Sequence, residues 1–461
     1  MSIVSAYAVP HPPLIIPEVG GGEQRKIQKT INAYNEIARR IALDKPETIV
    51  VATPHAIMYS NYNHLSPGDR AQGDFGRFGR PDVRFQVAYD GDLAKMIAAI
   101  AAERMVSAGL EGEKDKALDH GTMVPLHFVN AYLSDYKIVR ISLSGLSPLA
   151  HYELGKAITE ASNRLNKKTV FLASGDLSHK LKADGPYGFA SEGPAFDAMV
   201  TESLASGDFS RLLHFDEGFC DLAAECGLRS FIMMAGALDG KAVKPELLAY
   251  EGPFGVGYAV AAFAVLADDP DRRFGERFRE HEAKRLAAVK TAEDAYVKLA
   301  RASLEHYFRH RRHMEKPKDL APELLHDRAG VFVSLKIDGR LRGCIGTIEA
   351  TTASLADEII QNAVSAGFRD PRFDPVGADE LDRLVYSVDV LTTPEPIEST
   401  AQLDPKRYGL IVKHRGRSGL LLPDLDGIET PEDQLRIALR KGNISPEDDY
   451  ARERFQVIRH H

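Results

Sequence analysis

Four histidines in the first half of the chain stand at or just after short apolar runs: His11 in AVPHPP, His55 in VATPHA, His120 in LDHGTMVPLHF and His179 in ASGDLSHK. A single loop histidine is more often incidental than functional. Loops at one edge of a parallel sheet converge in space, however, so residues distant in sequence can build one site. A mononuclear iron centre for oxygen chemistry needs two neutral imidazoles and a carboxylate on one face of the metal, leaving open positions for substrate and dioxygen. His11 and His55 are the imidazole candidates, each next to a proline that restricts the backbone. The carboxylate is open among Glu225, Glu251 and Asp176. Glu225 begins an apolar stretch, ECGLRSFIMMAGAL, where it reads equally as an acid complementing a helix dipole. Its neighbour Cys226 is an alternative ligand as a thiolate, although a free cysteine usually packs as a small hydrophobe.

The elements that must position these residues are legible as alternating strands and helices. VSAYAV from Val4, TIVVAT from Thr48, IVRISL from Ile138 and TVFLAS from Thr169 are short β-branched runs, each followed by a loop carrying His, Gly or Asp. Strands apolar on both sides belong in a sheet covered on both faces. Between them, residues 23–43 and 93–108 carry apolar residues at helical spacing. The pattern predicts an α/β domain with a mostly parallel central sheet and helices on both faces, over residues 1–266, closed by a last strand over 250–266.

Residues 267–284, rich in Asp, Arg and Glu, read as a linker or solvated helical bridge. An amphipathic helix follows over 286–307. GVFVSLKIDGRLRGCIG then reads as a hairpin turning at Asp338-Gly339. Further strands over 384–391 and 410–412, and a hairpin-like piece over 416–422, make residues 285–461 an α+β domain.

Composition sets outer bounds. The 461 residues carry 58 Lys+Arg against 66 Asp+Glu, a formal net charge of −8, which argues against nucleic acid or an anionic membrane as the main partner. No apolar stretch approaches the ~20 residues that span a bilayer, and the start lacks the cationic region of a signal peptide. Only three cysteines, Cys220, Cys226 and Cys344, are too few for a disulfide framework, so a reducing cytoplasm is expected. Gly20-Gly21-Gly22 lacks dinucleotide-fingerprint spacing.

HPPLIIPEVG, TPHAIMYSNY, LDHGTMVPLHF, SGDLSHKL, AAECGLRSFIMMAGAL and YEGPFGVGYAV, in that order, resemble the class III extradiol dioxygenase superfamily, in the branch holding the protocatechuate 4,5-dioxygenase β chain and the Memo-like proteins. The resemblance covers about residues 1–265. It implies Fe(II), or Zn(II) or another divalent metal, on His11, His55 and Glu225. It also implies His179 as general base toward a substrate hydroxyl and His120 assisting at the substrate oxygens, with a small aromatic substrate and O2. Memo-like relatives use a cysteine at a comparable place, which keeps Cys226 open as the third ligand. Extradiol relatives often dimerise, so a homodimer is expected on the same ground.

In the second half, LRGCIGT, AVSAGFRDPRFDPV and YGLIVKHRGRSGLLLPDL resemble the AMMECR family over about residues 285–460. Its fusion to an extradiol-like domain implies related substrates or one pathway, with a radical-SAM partner in relatives. Cys344, with Arg342 two residues before it, reads either as a reactive or ligand-binding thiol or as an inward-pointing strand residue. Arg369, Asp370 and Arg372 read equally as an anion site or as a surface ion-pair cluster.

Overall fold

The computed structural model describes residues 2–114, 117–378, 380–425 and 427–461. It divides into two compact units, Met1–His281 and Glu282–His461. The first contains, in chain order, β1 (Ile3–Val9), α1 (Pro17–Gly20), α2 (Gln28–Asp44), β2 (Thr48–Thr53), β3 (Asn63–His64), β4 (Arg70–Phe75), β5 (Arg80–Tyr89), α3 (Gly91–Glu103), β6 (Ala108–Gly109), α4 (His120–Asn130), β7 (Lys137–Ser142), α5 (Pro148–Arg164), β8 (Thr169–Ser174), α6 (Glu192–Ser206), α7 (Glu217–Ala223), α8 (Leu228–Ala237), β9 (Lys241–Glu251) and β10 (Tyr258–Asp268).

Its main sheet has the order β4-β5-β7-β2-β8-β1-β10-β9. The pairings from β5 through β7, β2 and β8 to β1 are parallel, and the outer ones are antiparallel. Every residue of β2 and β8 is buried. Leu93, Ile97, Ile158 and Phe231, from α3, α5 and α8, cover one face. Tyr34, Ile37, Val124 and Phe128, from α2 and α4, cover the other. A strand enclosed on both sides has no polar face, which is why TIVVAT and TVFLAS carry no alternation. Val9 pairs with Ser174, Ala52 with Ala173 and Thr53 with Ser142. The strands β1, β2, β7 and β8 therefore end at one level, and the loops beyond them emerge side by side.

Several boundaries differ from the sequence-based expectation. Residues 250–266 do not form one closing strand, because a turn over 252–257, with Gly255 at φ 84°, separates β9 from β10. The helix expected from residue 23 starts at Gln28, since 23–27 forms a tighter 3-10 turn. The helix expected to reach residue 108 ends at Glu103, ahead of Met105 at φ 56°.

The division between the units falls inside α9 (Phe274–Ala292), so most of the expected linker after Pro270 is ordered as a 3-10 turn and helix. One helix over 286–307 was expected. The chain breaks instead at Asp294, whose side chain accepts from Tyr296 N and Val297 N and caps α10 (Ala295–His310). The second unit continues with α11 (Pro322–His326), β11 (Val331–Ile337), β12 (Arg340–Gly346), α12 (Leu355–Phe368), β13 (Val385–Leu391), β14 (Glu395–Pro396), β15 (Gly409–His414), β16 (Arg417–Leu421), α13 (Pro431–Gly442), β17 (Ala451–Phe455) and β18 (Val457–His460). These strands form two antiparallel sheets, β12-β11-β13-β18 and β14-β17-β15-β16. Among the described residues, no helix is long and apolar enough to cross a membrane.

Candidate metal centre

His11 leaves β1 between prolines, and its main chain and side chain are both tied down. Its N–H donates to Asp176 Oδ1 at 2.7 Å, and its Nδ1 lies 2.9 Å from Ser174 Oγ at the end of β8. The Tyr34 hydroxyl donates to the Pro10 carbonyl just before it. With Nδ1 held, Nε2 is the free donor, the arrangement in which a second partner fixes the ring of a metal-binding histidine. His11 is 2% exposed.

The loop carrying His55 and the start of α4, at His120, share one anchor. Asp119 caps α4 by accepting from Thr122 N at 3.0 Å, and the same carboxylate accepts from Thr53 Oγ1 at 2.7 Å. His55 N donates to Thr53 Oγ1 at 3.2 Å. Arg140, 1% exposed and rooted in β7, lies 3.4 Å from the other Asp119 oxygen. Gly121 is needed in this corner, because a Cβ there would fall 2.4 Å from Thr53 Oγ1. The imidazoles consequently crowd: ring centroids are 4.7 Å apart for His11 and His55, and 4.0 Å for His55 and His120.

Of the candidates for the third ligand, Cys226 is the one that stands with the histidines. His55 Nε2 lies 3.0 Å and Cys226 Sγ 3.6 Å from His11 Nε2, and the three donor atoms lie within 4.8 Å of one another. Two donors held at about 2.0–2.3 Å in a tetrahedral shell are about 3.3–3.7 Å apart, a range close to the two separations from His11 Nε2. The reach of Cys226 depends on Gly175 and Gly227, since a Cβ on Gly175 would lie 2.1 Å from Gly227 Cα.

The expected carboxylates are placed elsewhere. Glu225 Oε2 accepts from Leu228 N at 2.7 Å, serving the start of α8. Asp176 backs the main chain of His11. Glu251 Oε2 receives both Thr30 N and Thr30 Oγ1 at 2.8 Å on α2. Glu225, expected as the third ligand with Cys226 as the alternative, thus points its carboxylate to Leu228 N, while Cys226 is the residue grouped with His11 and His55. Each of these carboxylates is already engaged in fixing the scaffold.

His179 lies in the loop after β8, its N–H donating to Ala223 O at 3.2 Å. Its Nε2 is buried and has no hydrogen-bond partner among the described residues. Tyr187 and Phe78 flank the group, with ring centroids 5.1 Å from His179 and 5.4 Å from His120. Both aromatic rings are substantially exposed, as is His55, so the group opens to solvent on that side.

Burial and mutual repulsion keep these imidazoles neutral. Burial, then His55 and His120, holds His11 well below its ordinary range. Burial, then His55, pushes both His120 and His179 down to about 4. Neutral nitrogens are the form that binds metal or accepts a proton. Burial, then Asp176 and Glu225, raises the Cys226 thiol well above its usual value, so binding as a thiolate requires the ion itself to displace the proton.

Sequence reasoning did not single out Ser174, Thr53, Asp119 or Arg140. Their signal is adjacency: Ser174 opens SGDLSH and Asp119 opens DHG. Arg140, a cation inside the apolar run IVRISL, carries the clearest hint of a buried partner.

In the second unit, Cys344 of β12 faces Ser334 of β11, whose Oγ lies 3.1 Å from its Sγ. Asp370 accepts from Cys344 N at 2.9 Å and pairs with Arg372 at 2.7 Å. Arg372 also donates to Cys344 O at 3.1 Å, so two of the three charged residues of the RDPR segment bracket the cysteine. Arg342 is paired with Glu380 at 2.6 Å. Arg369 is exposed, with its N–H on Ser365 O.

The aligned strand ends of a largely parallel sheet thus gather imidazoles and a thiol into a candidate metal site on an α/β domain. Residues 5–261 match the family model for the catalytic LigB subunit of aromatic ring-opening dioxygenase, and residues 297–461 match the AMMECR1 model. The chain belongs to the LigB family and carries an AMMECR1 domain at its C-terminal end. It is 43% identical over 469 residues to Protein CA_C1420 of Clostridium acetobutylicum, covering 100% of this chain and 99% of that one. A Thermotoga maritima protein is 49% identical over 170 residues, 36% of this chain and 98% of its own. Among solved structures, the uncharacterized protein PH0010 from Pyrococcus horikoshii aligns at 35% identity with a TM-score of 0.33, over 36% of this chain and 88% of that one.

Proposed function

We propose that the N-terminal unit is a metal-dependent oxygenase of the extradiol type, acting on a catechol-like or other hydroxylated aromatic substrate. The observation that carries this reading is the convergence of His11, His55 and Cys226 on one point, with His120 and His179 beside them. A divalent ion held by the first three, Fe(II) in the leading reading and Zn(II) in the alternative, would supply Lewis acidity at the substrate oxygens and, as iron, electrons for dioxygen. His179 is suited to take a proton from a substrate hydroxyl at Nε2, and His120 to hold a substrate oxygen by hydrogen bonding. Phe78 and Tyr187 offer ring faces to an aromatic substrate. The C-terminal unit then acts as an accessory or second catalytic module. We place the protein in a reducing cytoplasm, as a homodimer working with a radical-SAM partner in one pathway.

Cys226 favours a second reading. A thiolate where iron oxygenases usually hold a carboxylate suits a metal- or ligand-binding module without ring cleavage. Oxygen uptake by anaerobically Fe(II)-loaded protein against a panel of catechols separates the two. Uptake that is lost in His179→Ala with iron retained supports the oxygenase. Full iron loading without uptake across the panel selects the binding module.

A further inference from the structure

The loop after β8 is held residue by residue around His179. Leu177 N donates to Gly257 O, and Gly257 N donates to Ser178 O, each at 2.8 Å. His179 N donates to Ala223 O, and Lys180 N donates to Ser178 Oγ at 3.0 Å. Ser178 N, beyond the end of β8, donates instead to a charged side chain, Asp197 Oδ1 of α6, at 2.8 Å.

Asp197 lies inside α6, away from both caps, and is 1% exposed. A buried carboxylate is costly unless it is hydrogen-bonded. Its two oxygens serve Ser178 N and the Tyr250 hydroxyl, the latter at 2.7 Å. The surroundings are cut to fit: a Cβ on Gly257 would fall 2.0 Å from Asp197 Oδ2, and one on Gly193, a turn earlier in α6, would fall 2.7 Å from Ser178 Oγ. His179 Nε2 is buried with no hydrogen-bond partner among the described residues, so its direction is left to the main chain that Asp197 helps to fix.

We propose that Asp197 is the positioning residue for His179, aiming its Nε2 at the substrate hydroxyl through the N–H of Ser178. The inference rests on the reading of His179 as the base. In that step the substrate O–H bond breaks, its electron pair stays on the oxygen, and the proton bonds to Nε2. Asp197 acts only through the loop. A misplacement of about 1 Å in such a group costs about 100-fold in rate.

Two readouts on the full chain test this. The first is acylation of the metal-free protein by diethyl pyrocarbonate, read histidine by histidine by peptide mass spectrometry, with buried His151 reporting general loosening. In Asp197→Ala the rate at His179 relative to His151 should rise about tenfold, as loss of a hydrogen bond to a charged group implies. Asp197→Asn, which keeps an oxygen for Ser178 N, should restore most of the protection. The second is oxygen uptake by Fe(II)-loaded protein, at equal iron content, with catechol and with 4-nitrocatechol, one hydroxyl of which is already ionised at neutral pH. In Asp197→Ala, kcat for catechol should fall about 100-fold, and that for 4-nitrocatechol far less, a contrast that general damage to the fold would not produce. Where Asp197→Ala does not fold, Gly257→Ala, whose Cβ displaces the same carboxylate, replaces it in both measurements. Uptake with neither substrate in wild type overturns the base reading and this proposal together. Uptake lost in His179→Ala but kept in Asp197→Ala, equal losses with both substrates, or an unchanged acylation ratio overturns this proposal alone.

Discussion

Cys226 Sγ lies 3.6 Å from His11 Nε2, whereas the carboxylate of its immediate neighbour, Glu225, turns to the N–H of Leu228. Adjacent residues thus serve different ends, one facing the imidazoles and the other starting a helix. Cys226→Ala should abolish stoichiometric metal binding. Glu225→Ala should keep the metal and lose about 1 kcal/mol of stability, the usual cost of a lost helix cap. Metal content by plasma mass spectrometry and urea melts of the two variants give the comparison, and metal loss confined to Glu225→Ala would reverse the assignment.

Metal binding should release about one proton per ion at neutral pH. Burial keeps the Cys226 thiol protonated in the metal-free protein, while the imidazoles are already neutral and contribute none. Calorimetric titration in buffers of different ionisation enthalpy measures the number released. In Cys226→Ser, any residual binding should be proton-neutral.

The anchor shared by His55 and His120 predicts a structural penalty. Asp119→Ala removes the acceptor of Thr53 Oγ1, the cap of α4 and the charge opposite buried Arg140. We expect a loss of about 2–3 kcal/mol in denaturant melts, with weaker metal retention. Unchanged stability would show that the network is dispensable.

Gly175→Ala should act on the site without touching a ligand. Its Cβ would collide with Gly227, forcing the Cys226 loop away from His11. Metal affinity measured by chelator competition should fall more than tenfold, with overpacking costing about 1–3 kcal/mol.

Asp197 gives a pH-dependent stability term away from the ligands. Burial pushes its carboxyl up to about 6, against hydrogen bonds from Tyr250 and Ser178 N that pull it down. Because the folded value lies above the unfolded one, the native state binds the extra proton, and this group's contribution is lost as pH rises from about 4 to about 6. The loss is bounded by about 3 kcal/mol. Urea melts at pH 4 and pH 7 should show Asp197→Asn lacking that component of the wild-type pH dependence.

Much of this was legible in the residues. TIVVAT and TVFLAS announce enclosed strands through unbroken apolar runs, and Asp338-Gly339 forms the turn between β11 and β12, at φ 52° and 81°. His11, His55, His120 and His179 are recognisable because each follows or borders such a run. The choice between Glu225 and Cys226 was not legible, since a one-residue difference in loop direction depends on the contact between Gly175 and Gly227, 52 residues apart in sequence. The break at Asp294 was equally hidden, because the apolar periodicity runs through it and only the cap geometry ends one helix and begins the next. Arg140 and Asp119 escaped notice because their partnership exists only once β7 lies beside β2.

The donors at residues 11, 55 and 226 belong to segments that meet only when β1, β2 and β8 are paired and the start of α8 has docked. A nascent chain therefore has no complete set to offer until nearly half of it has been synthesised. Uptake of an ion there would then report the pairing of β1, β2 and β8, and a shortage of the ion would be felt as a shorter lifetime of the folded protein.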